Sequence, residues 1–195
     1  MPRKPRHLTE AGIYHVICRG NNRQTLFLDT GDYHEYLTLL LEMKSFYDFN
    51  LYHYCLMPNH VHLLLGFKNQ ESFQKIMQRV NLTYAKRFKK MYHYHGHVFQ
   101  DRFKSLAIDQ EAYLLDCGRY IERNPFKARL VENLVNYSWS SYHYYAYGQA
   151  NLLLTENPLY ESLGTLPEQR QQNYREYILV NRPYEELIDE GLMKG

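Results

Sequence analysis

Apolar positions along the chain change period several times, and each change marks an element. Gly12 to Arg19, GIYHVICR, is apolar with β-branched and aromatic members and ends in the breaker cluster GNN at Gly20 to Asn22, which predicts a strand. Leu26 to Leu28 predicts a short extended piece. Thr30 or Asp32 can then cap a helix of about four turns, because Tyr33, Tyr36, Leu37, Leu40, Leu41 and Tyr47 recur at helical spacing. Leu51 to Met57 and His60 to Phe67 read as two strands of an antiparallel hairpin turning at Pro58 and Asn59. Gln70 to about Met91 is amphipathic, with Phe73, Ile76, Met77, Val80 and Tyr84 on one face and Lys75, Arg79, Lys86, Arg87, Lys89 and Lys90 largely elsewhere. After the loop HYHGHVFQDRFKS comes a short strand around Leu106 to Ile108. Asp109 can cap a third helix that ends near Asn124, since Pro125 disfavours helical geometry before it.

The order β-α-β-β-α-β-α predicts an α+β fold: a ferredoxin-like or RRM-like antiparallel sheet with helices packed on it. Two segments follow from charge. From Gln149 onward eight acids face four bases, a balance of about −4, so the net charge of +2 conceals about +6 on the first 148 residues. The expected division is a basic domain over residues 1–148, including a basic N-terminal arm, and an acidic, mostly helical extension over 149–195.

Composition narrows the class further. No apolar run approaches the ~20 residues needed to span a bilayer, and the start MPRKPRHLTEAG lacks the apolar segment of a secretory signal, so a cytoplasmic protein without membrane contact is expected. Cys18, Cys55 and Cys117 lie apart inside apolar patterns, as buried reduced thiols do. The 20 tyrosines interleave with basic residues, a mixture suited to single-stranded nucleic acid.

The chemistry concentrates in LMPNHVHLLLG. On a strand, His60 and His62 share one face while Val61 points the other way, so the two imidazoles can grip one cation. An HxH pair alone reads equally as hydrogen-bonded histidines on a solvated face; here the surrounding strand is apolar, and burying two imidazoles is costly unless both are satisfied. On the third helix Tyr120 and Asn124 stand one turn apart, which by itself fits a core tyrosine and a polar helix end. Arg3, Lys4 and Arg6 form the basic arm, Arg19 and Arg23 flank the GNN turn, and Lys86, Arg87, Lys89, Lys90, Arg102 and Lys104 make a second basic cluster. Two such clusters favour phosphate binding. His93, His95 and His97 imitate a metal motif, but Gly96 breaks the strand geometry that would align them. Trp139 in YSWSSY reads as an anchor for the returning chain rather than a base-stacking platform.

Taken together, YHVICRGNNRQ (Tyr14 to Gln24), YCLMPNHVHLLL (Tyr54 to Leu65), GHVFQDRFKS (Gly96 to Ser105), YIERNPFKARLV (Tyr120 to Val131) and YSWSSY (Tyr137 to Tyr142) resemble the REP-associated tyrosine transposases. These are insertion-sequence-200-like, single-tyrosine HUH transposases, and the resemblance runs from about Ile13 to Tyr142 in order. It implies that His60 and His62 are ligands of a divalent cation, Mg2+ or Mn2+. It further implies that Tyr120 is the nucleophile of a metal-dependent endonuclease and strand transferase acting on single-stranded or hairpin DNA through a covalent 5′-phosphotyrosine. Asn124 takes the position of the third ligand, where many relatives carry the longer glutamine. Among the basic residues Arg19, Arg23, Arg102 and Lys104 are the preferred DNA contacts, with Arg3, Lys4, Arg6, Lys86 and Arg87 behind them. Relatives occur as monomers and as homodimers that exchange the tyrosine helix, so both states stay open. So do a non-catalytic nucleic-acid-binding module and a phosphodiesterase that uses water.

Overall fold

The computed structural model describes residues 12–108 and 113–180. The basic arm with Arg3, Lys4 and Arg6, the expected cap Asp109 and the last fifteen residues lie outside them. Four strands, β1 (Gly12–Arg19), β2 (Phe49–Met57), β3 (His60–Phe67) and β4 (Lys104–Ala107), form one antiparallel sheet in the order β2-β3-β1-β4. The helices α1 (Thr30–Phe46), α2 (Gln70–Tyr92) and α3 (Leu114–Lys127) interrupt them in the expected order, and α4 (Tyr142–Tyr147) and α5 (Pro167–Leu179) follow. The α+β expectation holds.

Strand alternation sends Tyr14, Val16, Cys18, Val61, Leu63 and Leu65 to one face, where they pack with Tyr36, Leu40 and Met43 of α1 and Phe73, Ile76, Met77 and Val80 of α2. The opposite face carries His15, Ile17, His53, Cys55, His62 and Leu64. Cys55 and Leu64 there pack with Leu114, Cys117, Tyr120 and Ile121 of α3. A sheet covered on both faces explains the nearly continuous apolar run of β3. In β2 the register shifts between Leu51 and His53. This bulge turns both Tyr52 and His53 toward α3.

The outer edge of β2 is capped by the returning chain. Leu56 N–H donates to the Trp139 carbonyl (2.8 Å), Ser141 N–H to the Tyr54 carbonyl (3.0 Å) and Thr155 N–H to the Leu51 carbonyl (2.8 Å). Unpaired edge groups are thereby satisfied. Trp139 stacks on Tyr33 at 4.4 Å, and Tyr137 donates its hydroxyl to the Leu56 carbonyl (2.6 Å), so the YSWSSY segment anchors the return as its sequence suggested. Residues 149–180 join the same packing. Leu153 enters the α1/α2 core, and Tyr160, Tyr174 and Ile178 cluster with Tyr142, Tyr145 and Leu115.

Several local expectations are corrected. The 26–28 stretch forms no strand: Leu26 and Phe27 are buried there with both N–H groups on the Pro58 carbonyl, a loop clasping the hairpin turn rather than a ladder. The cap of α1 is Asp29, whose Oδ1 accepts from Asp32 N–H at 3.0 Å, rather than Thr30 or Asp32. The fourth strand begins at Lys104, two residues early, because Ile17 of β1 offers it a partner there.

The third helix runs through Pro125 to Lys127 instead of stopping at Asn124. Proline removes the N–H that would bond the Ile121 carbonyl. Asn124 replaces it, its Nδ2 donating to the carbonyls of Ile121 (3.1 Å) and Tyr120 (2.9 Å).

The approach of α3 to the sheet is close. A Cβ on Gly118 would lie 2.3 Å from His53 Nε2 and 2.5 Å from two carbons of the same ring. That ring is fixed, stacked on Tyr145 (4.3 Å) and bonded to Glu122 (2.9 Å), so it cannot yield. Gly118→Ala is expected to destabilise the protein by about 1–3 kcal/mol through overpacking, read as a lowered urea midpoint with an unchanged slope.

Candidate active site

The α3 face of the sheet opens at the end of β1 and β3 into a cavity of about 520 Å3 walled by Ile17, Arg19, Arg23, His60, His62, Gln100, Asp101, Arg102, Lys104, Tyr120 and Asn124. The residues expected to act thus converge from β1, the turn after it, β3, the loop before β4, β4 and α3. Arg19 stands opposite His60 in the β1/β3 register and Lys104 opposite Ile17. Loop 98–100 is stitched to the GNN turn by Asn21 N–H to the Val98 carbonyl and Gln100 N–H to the Arg19 carbonyl, both 2.9 Å. This sets Arg102 at the rim. Arg23 is presented by a turn in which Asn22 and Arg23 both adopt left-handed φ, 49° and 59°. Such a conformation is costly for residues with a Cβ and persists only where surroundings impose it; here Asn59 Nδ2 holds the Arg23 carbonyl (3.2 Å).

Asn59 has a second role that its position in a Pro-Asn turn concealed. Its Oδ1 lies 2.6 Å from His60 Nδ1. Since Asn59 Nδ2 is directed to Arg23, the oxygen faces His60 and can only accept, so His60 carries its proton on Nδ1 and keeps an Nε2 lone pair. His62 Nδ1 lies 2.9 Å from Nε2 of His15, a fully buried residue of β1 stacked on it at 5.1 Å. His62 Nε2 is buried with no hydrogen-bond partner. Burial holds His60 down to about 4, with the Arg19 charge adding to it, and burial together with His15, His60 and Arg19 holds His62 well below the ordinary imidazole range. Both rings are neutral at pH 7, the form that binds metal.

Tyr120 lies over these rings, 6% exposed, its ring centroid 6.1 Å from His62 and 5.7 Å from His15, edge-on to both. Lys127, one to two turns further along α3, places its ammonium 4.8 Å from the Tyr120 ring centroid. Asn124, whose amide hydrogens are spent on the helix carbonyls, also lines the cavity.

The donors present fit a divalent cation. Two neutral imidazoles stand side by side (4.8 Å between centroids), one with a buried orphan nitrogen, and the Asn124 side chain lines the same cavity. Nitrogen ligands suit Mn2+ better than Mg2+. Among the described residues no cluster of three or more His, Cys, Asp or Glu forms a metal site. His93, His95 and His97 lie in a loop, with Gly96 at φ 111°. Lys86 and Arg87 are on α2 away from the cavity, and Arg87 is engaged by Glu35 of α1. No described helix is long and apolar enough to cross a membrane.

Residues 9–124, more than half of the chain, match the family model described as "Transposase IS200 like". The chain belongs to the IS200-like transposases. It is also similar in fold to a REP-associated tyrosine transposase solved bound to a REP hairpin, with TM-score 0.63, 20% identity, and coverage of 80% of this chain and 92% of that one. A putative transposase from Deinococcus radiodurans R1 aligns with TM-score 0.41 at 20% identity over 63% of this chain and 97% of its own. No curated protein sequence matches significantly. For a transposase, the convergence of His60, His62, Tyr120 and Asn124 on one cavity marks where the chemistry is to be sought.

His15, Asn59 and Lys127 escaped the sequence reading. His15 carried a readable signal, because it occupies the same strand face as Ile13 and Ile17, and a lone histidine on a buried face needs a partner. The hydrogen bonds of Asn124 predict that Asn124→Ala leaves the Ile121 carbonyl without that donor. The expected loss is about 1–3 kcal/mol in chemical denaturation, a cost that a purely ligand-facing asparagine would not show.

Proposed function

We propose that this transposase cleaves and rejoins single-stranded DNA at hairpin-forming sequences, with Tyr120 as the nucleophile. The observation that carries the reading is the position of Tyr120, held by α3 above His60 and His62 in a cavity rimmed by Arg19, Arg23, Arg102 and Lys104. The likeness to a transposase solved on a REP hairpin supports a hairpin, of the repetitive extragenic palindrome type, as the form of the substrate.

In this reading the four cations seat the phosphates of the strand, and the phenol oxygen of Tyr120 attacks the scissile phosphorus. The P–O3′ bond breaks, a 5′-phosphotyrosine forms, the phenol proton leaves to solvent, and the 3′ oxygen takes up a proton to become a free hydroxyl. Attack of another 3′-hydroxyl on the phosphotyrosine reverses the step and joins strands, so the bond energy is retained and no nucleotide cofactor is needed. A phenol of ordinary pKa about 10 is only about 0.1% ionised at neutral pH, and the Lys127 ammonium beside the ring favours the negative charge that develops on the oxygen. A divalent cation held by His60, His62 and Asn124 would supply Lewis-acid neutralisation of the scissile phosphate.

Labelled hairpin DNA incubated with the protein and Mn2+, then resolved on a denaturing gel, tests the reading. A protein-linked DNA band is expected from the wild type and none from Tyr120→Phe. Cleavage without that band would instead support a phosphodiesterase using water, and binding with no cleavage a non-catalytic module. His60→Ala is expected to abolish cleavage while leaving hairpin affinity within a few-fold, since the imidazole serves chemistry and the basic rim serves affinity. Arg102→Ala should weaken binding across sequences and lower the slope of log K against log salt by roughly 0.7, the value for one phosphate contact on a single strand. An unchanged slope would remove Arg102 from the phosphate path.

A further inference from the structure

His15 sits at the centre of the site and takes no part in the chemistry described above. It is fully buried, and its Nδ1 has no hydrogen-bond partner. A leucine or valine would fill the same place on β1 without leaving a buried nitrogen unpaired. What the imidazole adds is its contact with His62: Nε2 to Nδ1 at 2.9 Å with the rings stacked at 5.1 Å. The strand register fixes this contact. Ile17 is the direct partner of His62 and His15 that of Leu64, so His15 is the diagonal neighbour of His62 on the same face.

A hydrogen bond between two neutral imidazoles has one donor, and its direction decides what His62 can do. If His15 Nε2–H donated, His62 would carry its own proton on Nε2 and that nitrogen could not bind a cation. If His62 Nδ1–H donates, Nε2 keeps its lone pair. The neighbouring ligand shows the same logic, because His60 Nδ1 is held by an Asn59 oxygen that can only accept. Metal-binding histidines are commonly fixed in this way through their other ring nitrogen.

We infer that His15 is a positioning residue for the cation site: its Nε2 accepts the Nδ1–H of His62, holding that ring in the Nδ1–H tautomer and presenting Nε2 as a ligand. The inference rests on the reading of His60, His62 and Asn124 as cation ligands. It separates His15 from the ligands themselves, since the nitrogen of His15 that meets the site is occupied by His62.

Two measurements on the full chain test it. Long-range 1H–15N correlation spectra of histidine-labelled protein without metal are expected to show His62 protonated on Nδ1 and bare on Nε2, and the opposite tautomer overturns the inference. Binding of Mn2+ alone, followed by the EPR signal of the free ion, is expected to weaken 10–100-fold in His15→Leu. His15→Gln, whose amide oxygen can accept from His62, should stay near wild-type affinity. Circular dichroism and thermal melting report whether either variant is folded, and the wild-type tautomer decides the matter even if His15→Leu is not. Wild-type affinity in His15→Leu, or equal loss in the Leu and Gln variants, overturns the inference alone. Absence of Mn2+ binding to the wild type overturns the cation site and this inference with it.

Discussion

Two residues after Tyr120, α3 buries a carboxylate whose bonds reach into three other parts of the chain, and through His53 into a fourth. Glu122 Oε1 accepts from His53 Nδ1 of β2 (2.9 Å) and Ser141 Oγ (2.5 Å), and Oε2 accepts the Tyr174 hydroxyl of α5 (2.7 Å). Asn157 Nδ2 lies 3.0 Å from His53 Nε2 and closes the far side. Every member is buried. A carboxylate in such a place is tolerable only when its lone pairs are met, and they are met only if α3, β2, the Ser141 corner and α5 stand where they do. The network therefore fixes both the height and the rotation of α3 over the sheet, with Gly118 allowing the close approach. The position of Tyr120 above His60 and His62 follows from it.

The sheet makes the complementary contribution. Its α1/α2 face is apolar and supplies the main core, which leaves the α3 face free to carry His15, His53, His60 and His62 on a rigid support. Each imidazole there has a defined partner: Glu122 and Asn157 for His53, Asn59 for His60, His15 for His62. The chain meets at this surface two separate demands, structural satisfaction toward α5 and imidazoles presented to the cavity. Cys55 and Leu64 lie between them.

Much of this was legible in the sequence. The β-α-β-β-α-β-α order follows from periodicity and breakers, and β3 begins and ends where alternation places it. His60 and His62 could be read as a pair because a strand repeats every two residues. Tyr120 and Asn124 could be paired by helical spacing, and the resemblance gave that pair a meaning. Pro125 misled because local sterics predict a stop, whereas a side chain one residue earlier replaces the missing donor. Glu122 was illegible for a different reason. An acid on an amphipathic helix reads as a solvated position, and its partners at 53, 141 and 174 are distant in sequence. His15 likewise depends on a cross-strand diagonal that no local pattern displays, and Arg87 reads as a phosphate contact until α1 brings Glu35 beside it.

Tyr120 and the histidines of the site stand on one chain, held together by the Glu122 network. Mixing two inactive variants, His60→Ala and Tyr120→Phe, over a range of ratios with labelled hairpin DNA and Mn2+ tests this directly. With Tyr120 serving the histidines of its own chain, neither protein holds a complete site and no protein-linked DNA band should form at any ratio. A band recovered in the mixture, from the single complete site that exchange of α3 creates in each mixed dimer, would contradict the account.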